Sequence, residues 1–502
     1  MLFNSLKKNI DSLVAAIIAF SIIYIFTIRN GVGISPDSII YMSTARNLNA
    51  GNGFYTFSQT PLVNFPVFYP LFLSLFNYIT HTDVLQFAPV LNSFLFASVI
   101  FLSGYIIEKF VTVSKWYKWL VLSMLVCSPS LLEVYSMLWS ETVFILCTLL
   151  FFAAIKNYFN HHSIKAVIVT ALIAAVACIT RYAGITLIAT GGLLMLIDIK
   201  TDWKKKITHI LIFGFTGISF ALFNLLRNIV KTNTLAGNRQ LGITPFSKNL
   251  EYFGSVLCDW FSVLREHYLL AVLIGSIVLL TFILLFISQS ISADYFNSFE
   301  KILTAFFIVY TVFILLSSTF SRYETINNRL LSPAFIPFIL GLSYNVVVLL
   351  NKINKLFARI TFVTVTVALF LFFQYFQYEW DEQYHQDIIE DGIPGYSESF
   401  WKTAPIVQLM QTDTLLAKHS DRFYSNRDHA VYFFTGLKTK TIPEKVHHKE
   451  VEDFYKQNNY YIVWFLEDDN PDLLSINDIK QHKKMDTVQL VKDGIIFRCT
   501  NY

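Results

Sequence analysis

Asp37, Glu141 and Glu324 are carboxylates, and Arg181, Arg227 and Arg329 guanidiniums, each set beside a long apolar run. A positioned carboxylate can take a proton from a hydroxyl. A guanidinium can grip a phosphate through paired hydrogen bonds. Charges next to hydrocarbon are costly and rare, which makes these six residues candidates for chemistry. Each also has an ordinary reading. Ser35-Pro36-Asp37-Ser38 is a helix start, with Ser35 as N-cap and Pro36 in the first turn. An acid there complements the helix dipole, worth ~0.3–1 kcal/mol. Glu141 opens a long apolar helix and can do the same. Arg181-Tyr182 can snorkel to an interface. Arg227-Asn228, followed by Asn233 to Arg239, can be a plain polar loop. Arg329 is the odd one out, because it falls on the side that collects few other basic residues. His81, His161, His162, His447 and His448 have no trusted metal-ligand spacing, and no metal or cofactor is expected.

The elements that must position these groups are mostly membrane spans. Of 502 residues, 54% are hydrophobic and only 15% charged, against about 25% charged in a soluble domain, and the mean hydropathy is +0.50. The 48 Phe and 26 Tyr suit lipid-facing helices and the headgroup belt. A net charge of +4 gives no argument for nucleic acid, and no such partner is expected. About eleven spans are expected from the length of ~20 apolar residues that crosses a bilayer. Nine centre near Phe20, Phe96, Leu125, Leu149, Phe215, Leu279, Val309, Leu340 and Leu369. The stretch from Ala166 to Ile197, broken at Arg181-Tyr182, reads as two short helices. The first apolar run, Leu13 to Ile28, lacks a small-residue cleavage site and reads as a retained span.

Basic residues in short loops set the orientation. Lys7 and Lys8 put the N-terminus in the cytoplasm. Alternation then puts Lys109, Lys115 and Lys118, Lys156 and Lys165, Lys204 to Lys206, Lys301, and Lys352, Lys355 and Arg359 inside as well. The outer side receives Gly31 to Phe87, Ser130 to Ser140, the break at Arg181, Arg227 to Tyr268, Ser321 to Arg329, and everything after about Tyr378. In the first outer loop Ile40, Tyr41, Thr44 and Leu48 share a face with Asp37, so an amphipathic helix closed by Gly51 is expected along the membrane surface. Residues 379–502 read as a small soluble α/β domain beyond a membrane domain of residues 1–378. Strand-like runs there are Arg422 to Tyr424, Ala430 to Phe434, Tyr460 to Phe465 and Gly494 to Arg498; helical runs are Lys402 to Met410 and Glu450 to Lys456. Of five cysteines, Cys127, Cys147 and Cys178 read as packing residues, and a Cys258–Cys499 disulfide is not expected. No G-x-G-x-x-G turn for nucleotide phosphates occurs.

The chain resembles the GT-C superfamily of polytopic glycosyltransferases, in particular bacterial relatives of protein O-mannosyltransferases and of the lipid A aminoarabinose transferase. Four pieces carry the likeness. They are Pro36 to Tyr41 with Ala45 to Leu48, Gly51 to Phe54 and Tyr69-Pro70-Leu71; Trp139-Ser140-Glu141; Thr180-Arg181-Tyr182; and Leu226-Arg227-Asn228 with Gly237, Arg239, Arg329-Leu330 and Pro333. Together they cover roughly the first two thirds of the chain. The resemblance implies that Asp37 is the catalytic base. It implies that Arg227, Arg239 and Arg329 hold a donor phosphate, and that Tyr41, Tyr69, Glu141, Arg181 and Tyr182 bind substrate. The expected reaction is inverting sugar transfer from a polyprenyl-phosphate-linked donor to a lipid, glycan or protein acceptor on the extracytoplasmic face of the cell membrane. Protein O-mannosyltransferases carry an acidic pair where this chain has Asp37-Ser38, which leaves lipid and glycan acceptors open. The alternative is a transporter or flippase of a lipid-linked sugar; internal repeats often mark transporters, and none is found.

Overall fold

The structure is a computed structural model that describes residues 9–110, 114–261, 270–292, 298–322, 324–412, 423–467 and 470–502. Lys7, Lys8, Arg422 and Tyr268, all used in the sequence reading, lie outside the described residues. Helices numbered along the chain are α1 (Ile10–Ile28), α2 (Pro36–Asn49), α3 (Phe68–Thr80), α4 (Val84–Phe110), α5 (Lys115–Val126), α6 (Pro129–Ser136), α7 (Glu141–His161) and α8 (Ile164–Thr180). They continue with α9 (Ile185–Leu196), α10 (Trp203–Thr232), α11 (Phe246–Trp260), α12 (Ala271–Ile291), α13 (Phe299–Phe320), α14 (Asn328–Lys352) and α15 (Leu356–Asp391).

Among the described residues, eight helices are long and apolar enough to cross a membrane: α1, α4, α7, α10, α12, α13, α14 and α15. The pair α5 and α6, bent by 48°, makes a ninth if it counts as one span, and α8 and α9 are shorter apolar helices. The chain is a multi-pass membrane protein. The nine expected span centres fall on these helices, and the break at Arg181 separates α8 from α9. The count of eleven is not established by length and composition. The 36 residues of α15 extend ~54 Å at ~1.5 Å per residue, well beyond a hydrocarbon core of ~30 Å.

The chain divides into two compact units. The first comprises residues 1–29, 63–69 and 85–386. Its interior is aromatic. Phe282 meets Phe307 at 4.2 Å and Phe338 at 5.5 Å between ring centroids, and Phe152 meets Phe306 at 5.3 Å. Where α8, α9 and α10 pack, small residues let the backbones approach, with Ala171, Ala174, Ala175 and Ala177 all buried. An ion triad whose Lys118 and Asp11 are buried ties α1, α4 and α5 together: Lys118 Nζ donates to Asp11 Oδ1 at 2.9 Å and to the half-buried Glu108 Oε2 at 3.0 Å. Lys118→Met leaves two carboxylates facing each other without their cation. Losing one partner of such a buried set costs about 3–5 kcal/mol, so thermal unfolding of this variant in detergent is expected well below wild type, with Asp11→Asn in the same background restoring part of the loss.

The second unit comprises residues 30–62, 70–84 and 387–502. Its helix α2 starts as its sequence dictates. Ser35 Oγ accepts from Ser38 N–H at 3.4 Å, and Ser38 Oγ accepts from Ser35 N–H at 3.0 Å, which forms a reciprocal cap. Arg46 of α2 forks onto Asp83, with Nε and Nη2 donating at 2.8 and 2.9 Å. Tyr396 N–H donates to Ile34 O at 2.8 Å. The neighbouring Gly395 has φ +102°, and a Cβ there would stand 2.3 Å from Ile34 O, so only glycine fits that loop.

The C-terminal part of this unit holds a five-stranded sheet of order β2-β1-β3-β5-β4. Its strands are β1 (Phe423–Ser425), β2 (Thr439–Thr441), β3 (Tyr460–Phe465), β4 (Lys484–Val491) and β5 (Gly494–Thr500). The first three run parallel, and β5 joins β3 and β4 antiparallel. Short helices accompany it: α16 (Ser399–Thr403), α17 (Pro405–Thr412), α18 (Asp428–Thr435), α19 (His448–Lys456) and α20 (Ile476–Lys480). Tyr424, Ile442, Phe454, Tyr460, Ile462 and Phe497 form the core on one side. The run Ala430 to Phe434, expected as a strand, is instead helix α18. Asp428 in the first turn and left-handed Gly436 at the C-cap (φ +73°) frame it as a helix. Cys258 and Cys499 are both free thiols.

Candidate active site

Glu141 is the first residue of α7, and its carboxylate is completely buried. Two guanidiniums converge on it. Arg329, second residue of α14, donates from Nε to Glu141 Oε1 at 2.5 Å. Arg181, the extended residue that ends α8, pairs with the same oxygen through Nη1. Arg181 Nη1 also donates to Ser140 Oγ at 3.3 Å, and Ser140 Oγ donates to Glu141 Oε2 at 3.3 Å. The guanidinium carbon of Arg329 stands 4.4 Å from the ring centre of Trp139, a cation–π contact that fixes its plane. Glu324 reaches Arg329 Nη1 at 3.8 Å from the exposed side.

Local sequence explains how these side chains arrive. After Arg181 the chain makes one 3-10 turn, Tyr182–Gly184, before α9 begins. A Cβ on Gly184 would sit 2.4 Å from the backbone of Ala177 and Cys178, so the tight return onto α8 depends on glycine. The first turn of α14 is pinned at both backbone groups of Leu330. Asn327 caps it by accepting from Leu330 N–H at 3.0 Å, and Tyr310 O–H donates to Leu330 O at 2.8 Å.

A second group adjoins through Tyr182. Its hydroxyl donates to Val63 O at 3.1 Å and accepts from Asn228 Nδ2 at 3.4 Å. Asn228 also donates to Leu235 O at 2.8 Å and receives Arg227 Nη1 on its oxygen at 3.0 Å. Arg239 Nη2 donates to Asn64 O at 3.3 Å. Thus Glu141, Arg181, Tyr182, Arg227, Arg239 and Arg329, drawn from four separated stretches, belong to one unit. Tyr69, in the same unit, is buried. Asp37 and Tyr41 belong to the other unit. There Asp37 is half-buried in the first turn of α2, and Tyr41 is buried.

Glu324 adds a half-exposed negative charge beside Arg329, and the two guanidiniums share one buried carboxylate, Glu141. The carboxylate has no exposed surface, while the Arg181 and Arg329 side chains keep 16% and 11% of theirs. The N-termini of α7 and α14 add roughly half a positive charge each. Glu141 stands behind the two guanidiniums as their fixed counter-charge. Glu141→Gln removes that counter-charge. Removing one partner of a buried charge pair costs about 3–5 kcal/mol, so the variant is expected to unfold at lower temperature in detergent. Trp139 was legible only as a neighbour of Glu141. Asn328, Glu133 and Trp260, which hydrogen-bond one another beside Arg329, carried no signal beyond the polar pair Asn327-Asn328 before Arg329.

Neither a protein-family model nor a curated protein matches the chain. Solved structures do. ArnT from Cupriavidus metallidurans bound to undecaprenyl phosphate is 12% identical, with a TM-score of 0.57 over 97% of this chain and 96% of that one. The archaeal oligosaccharyltransferase AglB from Archaeoglobus fulgidus, in complex with an inhibitory peptide and a dolichol-phosphate, is also 12% identical, with a TM-score of 0.57 over 92% of this chain and 70% of that one. At this identity the likeness is one of architecture, and it extends over nearly the whole of the chain. Its apolar helices and small C-terminal sheet domain have the same fold as these two proteins.

Proposed function

We propose that the protein is a membrane glycosyltransferase that moves a sugar from a polyprenyl-phosphate-linked donor to a lipid, glycan or protein acceptor on the extracytoplasmic side, with inversion at the anomeric carbon. The observation that carries this reading is the Glu141–Arg181–Arg329 cluster. It is a partly exposed pair of guanidiniums oriented by a shared buried carboxylate, with Glu324 half-exposed beside Arg329. Such a pair suits a phosphate whose charge grows as a glycosidic bond breaks. That two proteins of the same fold bind undecaprenyl phosphate and a dolichol-phosphate supports a lipid-linked phosphate as the ligand.

In the proposed mechanism Asp37 takes the proton of the acceptor hydroxyl as its oxygen attacks the anomeric carbon. The bond to the donor phosphate breaks on the opposite face, and Arg329 and Arg181 stabilise the departing polyprenyl phosphate. Arg227 and Arg239 add positive charge for the same phosphate, and Tyr182 lines the substrate side. Glu141 acts through the two arginines and stays ionised behind them.

The experiment is reconstitution of the purified protein in liposomes with synthetic polyprenyl-phosphate sugars and a panel of acceptor classes. The expected product is a glycosylated acceptor with inverted anomeric configuration and free polyprenyl phosphate in equal amount. Movement of the intact donor across the bilayer with no covalent product would establish the flippase instead.

A further inference from the structure

Asn328 directly precedes Arg329 in the first turn of α14, and its side chain is held at both ends. Asn328 Nδ2 donates to Glu133 Oε2 at 2.6 Å, and Trp260 Nε1 donates to Asn328 Oδ1 at 3.0 Å. The orientation of this amide is not arbitrary. An indole N–H only donates, so the atom facing Trp260 must be the amide oxygen, and the nitrogen must face Glu133, which accepts. Both partners come from other elements. Trp260 is the buried last residue of α11. Glu133 sits in α6, the short helix that follows the 48° bend after α5. Its own element is tied down further on, where the Ser136 and Tyr384 hydroxyls stand 3.0 Å apart.

A side chain clamped from two directions fixes the rotation of the helix turn that carries it. Arg329 is the next residue on that turn, so the clamp sets the direction in which its guanidinium leaves the helix. From there Arg329 meets Glu141 on one side and the Trp139 ring on the other. We infer that Asn328, locked by Glu133 and Trp260, is the positioning residue that aims Arg329 at the phosphate of the donor lipid. The inference rests on the phosphate reading given under Proposed function and assigns a task to three residues that it leaves unused. It also gives the break between α5 and α6 a purpose: without the bend, α6 would continue the line of α5 instead of turning Glu133 towards the start of α14.

Undecaprenyl phosphate itself is the probe, and its binding to the full-length protein in nanodiscs is the readout, with thermal unfolding measured on each variant. Asn328→Leu keeps the size of the side chain and removes both hydrogen bonds; it is expected to weaken binding about tenfold or more, the scale of a lost charge-assisted hydrogen bond. Trp260→Phe removes one donor alone and is expected to weaken binding a few-fold; it keeps the test open if Asn328→Leu does not fold. A pair of substitutions then reverses the polarity of the clamp. Asn328→Asp alone sets two carboxylates face to face and is expected to bind poorly. Adding Glu133→Gln supplies an amide donor to the new carboxylate, while Trp260 still donates to its other oxygen, and the double variant is expected to recover most of the wild-type affinity. Glu133→Gln alone can still accept from Asn328 and is expected to stay close to wild type. Folded Asn328→Leu and Trp260→Phe proteins that bind as tightly as wild type would overturn the positioning role, as would a double variant no better than Asn328→Asp. Failure of the wild-type protein to bind undecaprenyl phosphate would be a different result, overturning the phosphate reading on which the role depends.

Discussion

Asp37→Asn is expected to lower sugar transfer by about 10²–10⁴-fold, the usual contribution of a positioned general base, in a protein that still folds and still binds its donor. The substitution keeps the shape of the side chain and one hydrogen-bond acceptor, and it removes the basic oxygen. Its structural cost is small, because a first-turn acid on a helix is worth only ~0.3–1 kcal/mol and the reciprocal Ser35–Ser38 cap remains in place. Loss of turnover with little loss of thermal stability therefore separates a proton acceptor from a helix-dipole acid. The measurement is single-turnover transfer from a polyprenyl-phosphate sugar in liposomes, alongside the unfolding temperature. Full activity in folded Asp37→Asn protein would remove this residue from the mechanism.

Arg329→Ala should cost about 10²–10³ in the rate of transfer, as loss of one preorganised charge-stabilising group typically does. The cluster would lose one of its two guanidiniums, while Glu141 keeps Arg181 as a partner. The buried carboxylate is thus never left alone, and the folding penalty is expected to be smaller than that of Glu141→Gln. Arg329→Lys preserves the charge and loses the planar fork and its stacking on Trp139, so an intermediate rate is expected. Rates across the series, measured at saturating donor, distinguish stabilisation of the leaving phosphate from simple binding. A folded Arg329→Ala protein with wild-type turnover would show that the phosphate is held elsewhere.

Some parts of this arrangement were legible because they depend on residues close together in the chain. The N-cap of α2 follows from Ser35-Pro36, since capping is decided within one turn. The division between α8 and α9 follows from Arg181-Tyr182 between two apolar runs too short to span alone. The spans follow from run length, because lipid imposes helix on any long apolar stretch whose backbone has no water to bond. The run Ala430 to Phe434 was misread because five apolar residues fit a strand or a buried helix turn equally well. Strand β4 was missed because six of its eight residues are exposed, so no buried apolar alternation marks it, and its register slips between Thr487 and Gln489.

Sequence alone therefore determined the solvent this protein lives in, the position of its long apolar helices, and the handful of charged residues with no cheap place to go. Local physics sufficed, because hydrophobic run length and capping are properties of neighbouring residues. Only the tertiary structure decided what those charges do to one another. Glu141 and Arg329 are separated by 188 residues, and Glu133 and Asn328 by 195. No short-range rule reports on such pairs, because packing of α6, α7, α8, α11 and α14 sets their distance. That packing turns a first-turn acid into a buried counter-charge shared by Arg181 and Arg329.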